Sequence, residues 1–322
     1  KEERLKALKE TVEIIKKYNE ILDSYNPTFP SVGVVFEPNT YFLEWSFNGK
    51  IEKSIESLTG YLKVLETLNI PYEIVETSHT DIIRNLKILI LPFPIVISEK
   101  FSKIIENFVY NGGVLITEGD FEAFDELAFY RYPGIDRKIA YKLGISPILD
   151  RQIIEDENFT LKIDKKTFKL KGKWWISPLS DEKIRVIGRD CKKRVVAIFN
   201  SYGKGYIYAF GTFIGANYGT DRNFDRNFED FLFYILKKHN CLPEIKLSEN
   251  KKGIIYRYGK TDKGILLFII NPENLEEIEV QIPSEFVKKG IIQDLRNGRK
   301  TEIKGKVKLK IEPKSWNLFL LQ

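Results

Sequence analysis

Hydrophobic positions along the chain fall into three patterns. Residues 1 to 24 place Leu5, Leu8, Val12, Ile15, Ile21 and Leu22 at three- and four-residue spacing among Lys and Glu, which predicts an amphipathic helix. It ends before NPTFP, where Pro27 and Pro30 break regular structure. From Ser31 the pattern turns to short continuous apolar runs, SVGVVF, YEIV, LKILILP and VLIT, separated by stretches of helical period. One such stretch runs from about Lys50 to Leu68; another, SEKFSKIIENFVYNGG, opens on Ser98 as an N-cap and closes on Gly112 and Gly113. Apolar strands without polar alternation, interleaved with helices, predict a parallel sheet buried on both faces and joined by right-handed crossovers. EPNTYFLEWSFNG reads as an aromatic loop, and residues 121 to 190 read as an insertion of loop, short helix and surface strands. RVVAIFN and YIYAFG resume the sheet across a tight SYGKG turn. NFDRNFEDFLFYILKKHN then predicts a last helix with Phe224, Phe228, Phe231, Leu232 and Ile235 on one face. Beyond Pro243 the units become strand-like, recur about every ten residues and lack a long helix, as in a small antiparallel sandwich. The expected organisation is a lead-in helix and linker (1–30), a doubly wound, mostly parallel α/β domain (31–243) and an antiparallel β-sandwich (244–322).

Composition narrows the class without naming a chemistry. The length, 322 residues, suits two domains, and no apolar run approaches the roughly 18 residues of a membrane helix. No membrane partner is therefore expected. Fifty-one Lys and Arg against 45 Asp and Glu give +6, but the signs are interspersed, which speaks against a nucleic-acid surface. Cys191 and Cys241 stand far apart and offer neither a disulfide framework nor a metal motif. With no leader visible, a reducing, cytoplasmic location is the expectation. High Lys, Glu and Ile with only four Gln resembles a thermophile's usage. The chain contains no Met and begins at Lys1, which suggests a processed, excised or trimmed start.

Candidate chemistry lies where such sheets usually bind ligands, at the carboxyl ends of the strands. Those ends supply Glu37, Trp45, Phe93, Glu118 and Asp120 as rim candidates. Trp174 and Trp175, in GKWWISP, read as exposed-loop aromatics that either stack on a sugar or plug the sheet. In NGGVLITEGDFEAFDE, five acids (Glu118, Asp120, Glu122, Asp125 and Glu126) follow one strand within nine residues. Glu118 with Glu37 or Asp120 would suit the two carboxyls of a glycosidase. Turn residues, caps and ion-pair partners are the alternative, and no nucleophile, histidine or metal partner accompanies them. PFPIVIS has no Cys at the elbow where a thiol nucleophile would sit. His79 and His239 read as isolated surface residues, and neither a P-loop nor a dinucleotide fingerprint occurs, so no metal and no cofactor is expected.

The order of these pieces resembles family-42 glycoside hydrolases, the β-galactosidases, downstream of their catalytic barrel. SVGVVF, NIPYEIV and LKILILPFPIVISEKFSKIIENFVYNGGVLITEGDFEAFDE look like the family's trimerisation domain, with its Gly-Gly, strand and acidic stretch. YRYPGIDRKIAYKLGI is similar to its Pro-Gly to Leu-Gly step, with drifted spacing, and GKGYIYAFGTFIG to its strand ending on Gly-Thr. Residues 244 to 322 look like its C-terminal β domain. The resemblance implies a glutamine-amidotransferase-like sheet with a vacant nucleophile position. It also implies a homotrimer or a catalytic barrel chain as partner, carbohydrate at the assembled funnel, and residues 1 to 24 as the helix leading out of the barrel. The family's catalytic glutamates belong to that barrel, so no catalytic residue carries over. The alternatives are a stand-alone glycosidase using Glu37, Glu118 and Asp120, or a carbohydrate-binding protein using Trp174 and Trp175.

Overall fold

A computed structural model describes residues 2–148, 150–182, 184–219, 224–247, 254–274, 277–286, 290–303 and 306–322. They divide into two compact units, one of residues 30–65 and 72–242, the other of 1–29, 66–71 and 243–322. The chain opens with α1 (Glu2–Lys17), α2 (Asn19–Asp23) and β1 (Asn26–Pro27). It continues through β2 (Val32–Phe36), α3 (Pro38–Asn48), α4 (Glu52–Thr67), β3 (Tyr72–Glu76), β4 (Ile88–Leu91), α5 (Glu99–Tyr110) and β5 (Val114–Thr117). Next come α6 (Lys138–Leu143), β6 (Gln152–Ile163), β7 (Lys166–Ile176), β8 (Arg185–Asp190), β9 (Val195–Tyr202), β10 (Gly205–Phe210) and α7 (Arg226–Lys238). The remaining strands are β11 (Lys246–Leu247), β12 (Ile255–Thr261), β13 (Gly264–Asn271), β14 (Glu277–Gln281), β15 (Ile291–Asp294), β16 (Lys300–Glu302), β17 (Lys306–Lys310) and β18 (Ser315–Leu321).

The larger unit is the expected α/β fold. Its nine strands lie in the order β3-β2-β4-β5-β10-β9-β8-β6-β7. The first five pair in parallel and the rest antiparallel. Every residue of β4 and β5 is buried, which is why their sequences carry no polar alternation. Helix α5 starts where expected, with Ser98 Oγ accepting from Phe101 N. It ends in a Schellman turn: Gly113 N donates to Phe108 O and Gly112 N to Val109 O, with Gly112 at φ +113°.

Three local expectations give way. EPNTYFLEWSFNG is not a loop but α3, started by Glu37 as N-cap with Pro38 in the first turn and closed by Gly49 at φ +64°. Its aromatics obscured a weakly amphipathic helix that buries only Thr40, Leu43 and Glu44. Residues 121–190 are no detached insertion, since β6, β7 and the unforeseen β8 extend the same sheet. Their alternation is one-sided burial: Phe159, Leu161, Phe168 and Leu170 point inward, with Phe168 edge-on to Phe231 of α7 at 5.9 Å. His239 is not a free surface residue either, because its ring lies against Tyr206 and its Nε2 is 3.1 Å from the Tyr208 hydroxyl.

In the smaller unit a six-stranded antiparallel sheet, β1-β12-β13-β18-β15-β16, faces a three-stranded one, β11-β14-β17. Tyr256, Leu267, Ile269 and Phe319 meet Ile278, Val280, Val307 and Leu309 in its core. The outer face of the larger sheet, with Leu266, Leu318 and Leu320, is covered by Ile14, Tyr18 and Ile21 of the N-terminal helices.

Candidate functional site

The acids after β5 turn inward. Glu118 is fully buried, and its two oxygens accept from five donors. Oε1 takes the Ser57 hydroxyl and the backbone N–H of Phe93 (3.2 Å). Oε2 takes the Tyr61 hydroxyl (3.1 Å) and the N–H groups of Ile214 (2.9 Å) and Gly215 (3.1 Å). Sequence spacing explains the convergence. Ser57 and Tyr61 are four apart and so share one face of α4. Gly60 between them lets that face approach the Gly215 carbonyl, which a β-carbon would overlap. Phe93, two residues past β4, sits at φ +46°, a conformation costly for an aromatic residue that aims its N–H at Glu118. Burial pushes the Glu118 carboxyl above its ordinary value, and the bonds from Ser57, Gly215, Phe93 and Ile214 offset only part of that rise.

The neighbouring acids also accept from the protein's own donors. Asp120 pairs with Arg137 at 2.7 Å and with Arg151. Arg137 is itself completely buried, donates from Nε to the Arg131 carbonyl and lies over the Tyr130 ring at 5.6 Å. Glu122 holds Arg131 at 3.0 Å and the Ala140 N–H at 2.9 Å. Asp125 accepts from Leu127 N and Phe129 N, both at 2.9 Å, and Glu126 from Glu99 N. Glu37 caps α3 through Asn39 N at 3.0 Å. Burial raises its carboxyl despite bonds from Asn39 and Thr77. Glu44 completes the pattern by accepting from Lys53 N and Ser54 N, both at 2.9 Å, at the start of α4.

Trp174 and Trp175 lie on strand β7, half-buried, rather than on an exposed loop. With Phe93 and Phe213 they form a plug: Trp175 stands 4.6 Å from Phe213 and 5.9 Å from Phe93, and Trp174 stands 5.2 Å and 5.6 Å from the same two rings. The structure thus unites Phe93, Glu118, Trp174 and Trp175 beneath the strand ends, while Glu37 and Asp120 serve separate local networks. Only Trp45 of the seven candidates faces solvent openly, 62% exposed on α3 one turn from the exposed Phe42. On the other side of α3, Phe47 leads through Phe124 (6.1 Å) and Tyr130 (5.3 Å) to Tyr132 (5.3 Å), a separate run of aromatics. Sequence reasoning missed this run, although the aromatic density of YFLEWSF and FYRY pointed to it.

Chemically, a carboxylate with five donors and no solvent path has no lone pair free for a substrate. Phe93 occupies the elbow without a nucleophilic atom. Among the described residues no cluster of His, Cys, Asp and Glu could hold a metal ion.

These features define a mixed α/β unit and a β-sandwich unit, with aromatic and hydrogen-bonded packing at the carboxyl ends of the parallel strands. Among solved structures the chain is similar to a β-galactosidase from Bacillus circulans sp. alkalophilus, at TM-score 0.72 and 16% identity, covering 92% of this chain and 42% of that one. It is also similar to a catalytic mutant of Gan42B, a GH42 β-galactosidase from G. stearothermophilus (TM-score 0.67, 18% identity, 91% and 40% covered). A third is a β-galactosidase from the haloarchaeon Halorubrum lacusprofundi (TM-score 0.61, 12% identity, 93% and 41% covered). The chain therefore spans about two fifths of the length of these enzymes, and at such identities the likeness is one of fold. No family model matches the chain, and no curated protein matches it in sequence. The resemblance read from the order of its motifs is thus met in the fold.

Proposed function

We propose that this chain is a non-catalytic assembly module, corresponding to the trimerisation and C-terminal β domains of a β-galactosidase-like glycoside hydrolase. The observation that carries this reading is the contrast between sealed acids and open aromatics. Glu118, Asp120 and Glu122, just after β5, are buried against the protein's own donors, whereas Phe42, Trp45 and Phe47 are more than 60% exposed on one short helix. Phe42 and Trp45, three residues apart, share one side of that helix, and neighbouring exposed aromatics mark a surface that another molecule covers. Two further copies are the occupants this reading assigns to it. The two-fifths coverage of the β-galactosidases favours a barrel-bearing chain as an additional partner, with carbohydrate met at the assembled enzyme. A cytoplasmic location belongs to the same reading; no described helix is long and apolar enough to cross a membrane.

Light scattering coupled to size exclusion tests it. Wild type is expected at three times the chain mass at micromolar concentration, and Phe42→Glu/Trp45→Glu at the monomer mass with an unchanged circular dichroism spectrum. A monomeric wild type would overturn the proposal. The exposed rings of Phe42 and Trp45 also favour a second reading, sugar stacking by this surface. A Trp45-dependent fluorescence change on adding galactosides, in a chain that stays monomeric, would select it.

A further inference from the structure

The sequence contains three Asn-Gly steps, Asn48-Gly49, Asn111-Gly112 and Asn297-Gly298. Such a step carries its own chemistry, because glycine has no side chain to hinder attack by its nitrogen on the asparagine amide before it. The structure makes the three a matched set. All six residues are exposed, so water reaches each step. Each glycine has a positive φ, +64°, +113° and +77°, and each glycine N–H donates back to a carbonyl, that of Trp45 (2.7 Å), Val109 (3.0 Å) and Asp294 (2.8 Å). The asparagine side chains differ. Asn111 Nδ2 donates to Asn107 O at 2.8 Å. Asn297 Nδ2 donates to Asp294 Oδ2 at 2.7 Å, and its Oδ1 accepts from Arg299 N at 2.9 Å. Among the described residues no hydrogen bond holds the Asn48 side chain.

Attack brings the glycine nitrogen against Cγ of the asparagine, so the N–H bond and any side-chain bond must open first. At Asn48 only the first has to open. That bond closes the last turn of α3, a helix that buries only Thr40, Leu43 and Glu44. The turn before Gly112 instead ends α5, which buries Phe101, Ile105, Phe108 and Val109 and is held by a second bond from Gly113. We propose that Asn48 is the residue at which spontaneous deamidation of the folded chain begins. Gly49 N gives its proton to hydroxide and bonds to Asn48 Cγ; the side-chain nitrogen takes a proton from water and leaves as ammonia, restoring the hydroxide. Water then opens the resulting succinimide at one of its two bonds to Gly49 N. Cleavage at Cγ leaves aspartate, and cleavage at the backbone carbonyl leaves isoaspartate, whose main chain runs through the former side chain. Either product sets a carboxylate at the C-terminal end of α3, where the helix dipole opposes it. Isoaspartate also adds a methylene ahead of Gly49 and so shifts its N–H away from Trp45 O. The modification thus loosens the turn that begins at Trp45.

The test incubates the full chain in mildly alkaline buffer, folded and in guanidinium chloride, and follows the three steps by peptide mass spectrometry with isoaspartyl methyltransferase labelling. One hydrogen bond fewer predicts conversion at Asn48 about two- to tenfold faster than at Asn111 or Asn297 in the folded chain. In guanidinium chloride, where no side-chain bond survives, the three rates should draw together. Asp294→Ala frees the Asn297 amide and should raise its rate toward that of Asn48. Asn48→Gln should remove the earliest product and leave the circular dichroism spectrum unchanged. Conversion at Asn111 or Asn297 as fast as at Asn48 in the folded chain overturns the proposal. So does an equal spread of rates in guanidinium chloride, which would place the cause in the sequence alone, and so does a chain that loses its native fold before Asn48 has reacted. The trimer reading is judged on chain mass and on the Phe42 and Trp45 variant, so neither result decides the other.

Discussion

Removing the Glu118 side chain tests whether this carboxyl is a structural hub. In Glu118→Ala the N–H groups of Phe93, Ile214 and Gly215 lose their acceptor, whereas the Ser57 and Tyr61 hydroxyls can rotate toward other partners. Each stranded buried N–H costs about 1–3 kcal/mol, so the three together cost on the order of 3–9 kcal/mol. That is a large share of the roughly 5–15 kcal/mol by which a domain is stable. Glu118→Gln keeps the shape and one accepting oxygen. Its oxygen would take the side with three donors, leaving its amide to face Ser57, whose hydroxyl can accept, and Phe93 N–H, which cannot. One mismatched N–H predicts a loss of about 1–3 kcal/mol, placing Gln between wild type and Ala.

Urea unfolding followed by tryptophan fluorescence reads this directly, because Trp174 and Trp175 pack on Phe93, the residue whose N–H binds Glu118. The pH dependence has a definite sign. The Glu118 carboxyl is raised in the fold, so its contribution is fully present below the ordinary value of 4.5 and is lost as pH rises through the higher folded value. The advantage of wild type over Glu118→Gln should therefore shrink as pH climbs above 4.5. An Ala variant within about 1 kcal/mol of wild type would refute the hub, and an advantage that grew with pH would refute the raised carboxyl.

Two further changes probe the same framework. Arg137→Ala leaves the buried Asp120 with only the half-exposed Arg151, and should cost about 3–5 kcal/mol by denaturant melts; Asp120→Asn in the same chain should recover part of the loss. Gly60→Ala would ordinarily gain about 1 kcal/mol in a helix interior, but the added carbon overlaps the Gly215 carbonyl, so a net loss of about 1–3 kcal/mol in thermal unfolding is expected.

What the sequence disclosed follows from what periodicity can carry. The apolar runs of β4 and β5 showed two buried faces because a strand covered on both sides has no polar positions to alternate. Ser98 and Gly112 bounded α5 because capping is local chemistry, read within a few residues. Helix α3 stayed hidden because its exposed side carries Phe42, Trp45 and Phe47 while Thr40 and Glu44 are among its buried residues, so no amphipathic contrast marks it. Strand β8 stayed hidden because it is short and register shifts interrupt its pairing with the next strand, β9, so RVIGRD carries no clean alternation.

The depth of the candidate residues stayed hidden for a different reason. Rim position and depth are separate properties, and only the first can be read from a strand end. A carboxylate just past a strand lies near free N–H groups, of the loops beside it and of the helix that follows, and these bind an anion as readily as a substrate would. Glu37 serves Asn39, Glu44 serves Lys53 and Ser54, and Glu118 serves Phe93, Ile214 and Gly215. The donors lie up to 97 residues away from the acid that they hold. No window of sequence links Glu118 to Gly215, and the hydrogen bond alone turns a candidate ligand contact into part of the scaffold. The aromatic plug follows the same logic: Phe213 and Phe93 are 120 residues apart, yet their rings meet at 4.9 Å and hold Trp174 and Trp175 against them. With the strand ends closed in this way, Phe42 and Trp45 of α3 are among the large apolar side chains that the packing leaves exposed.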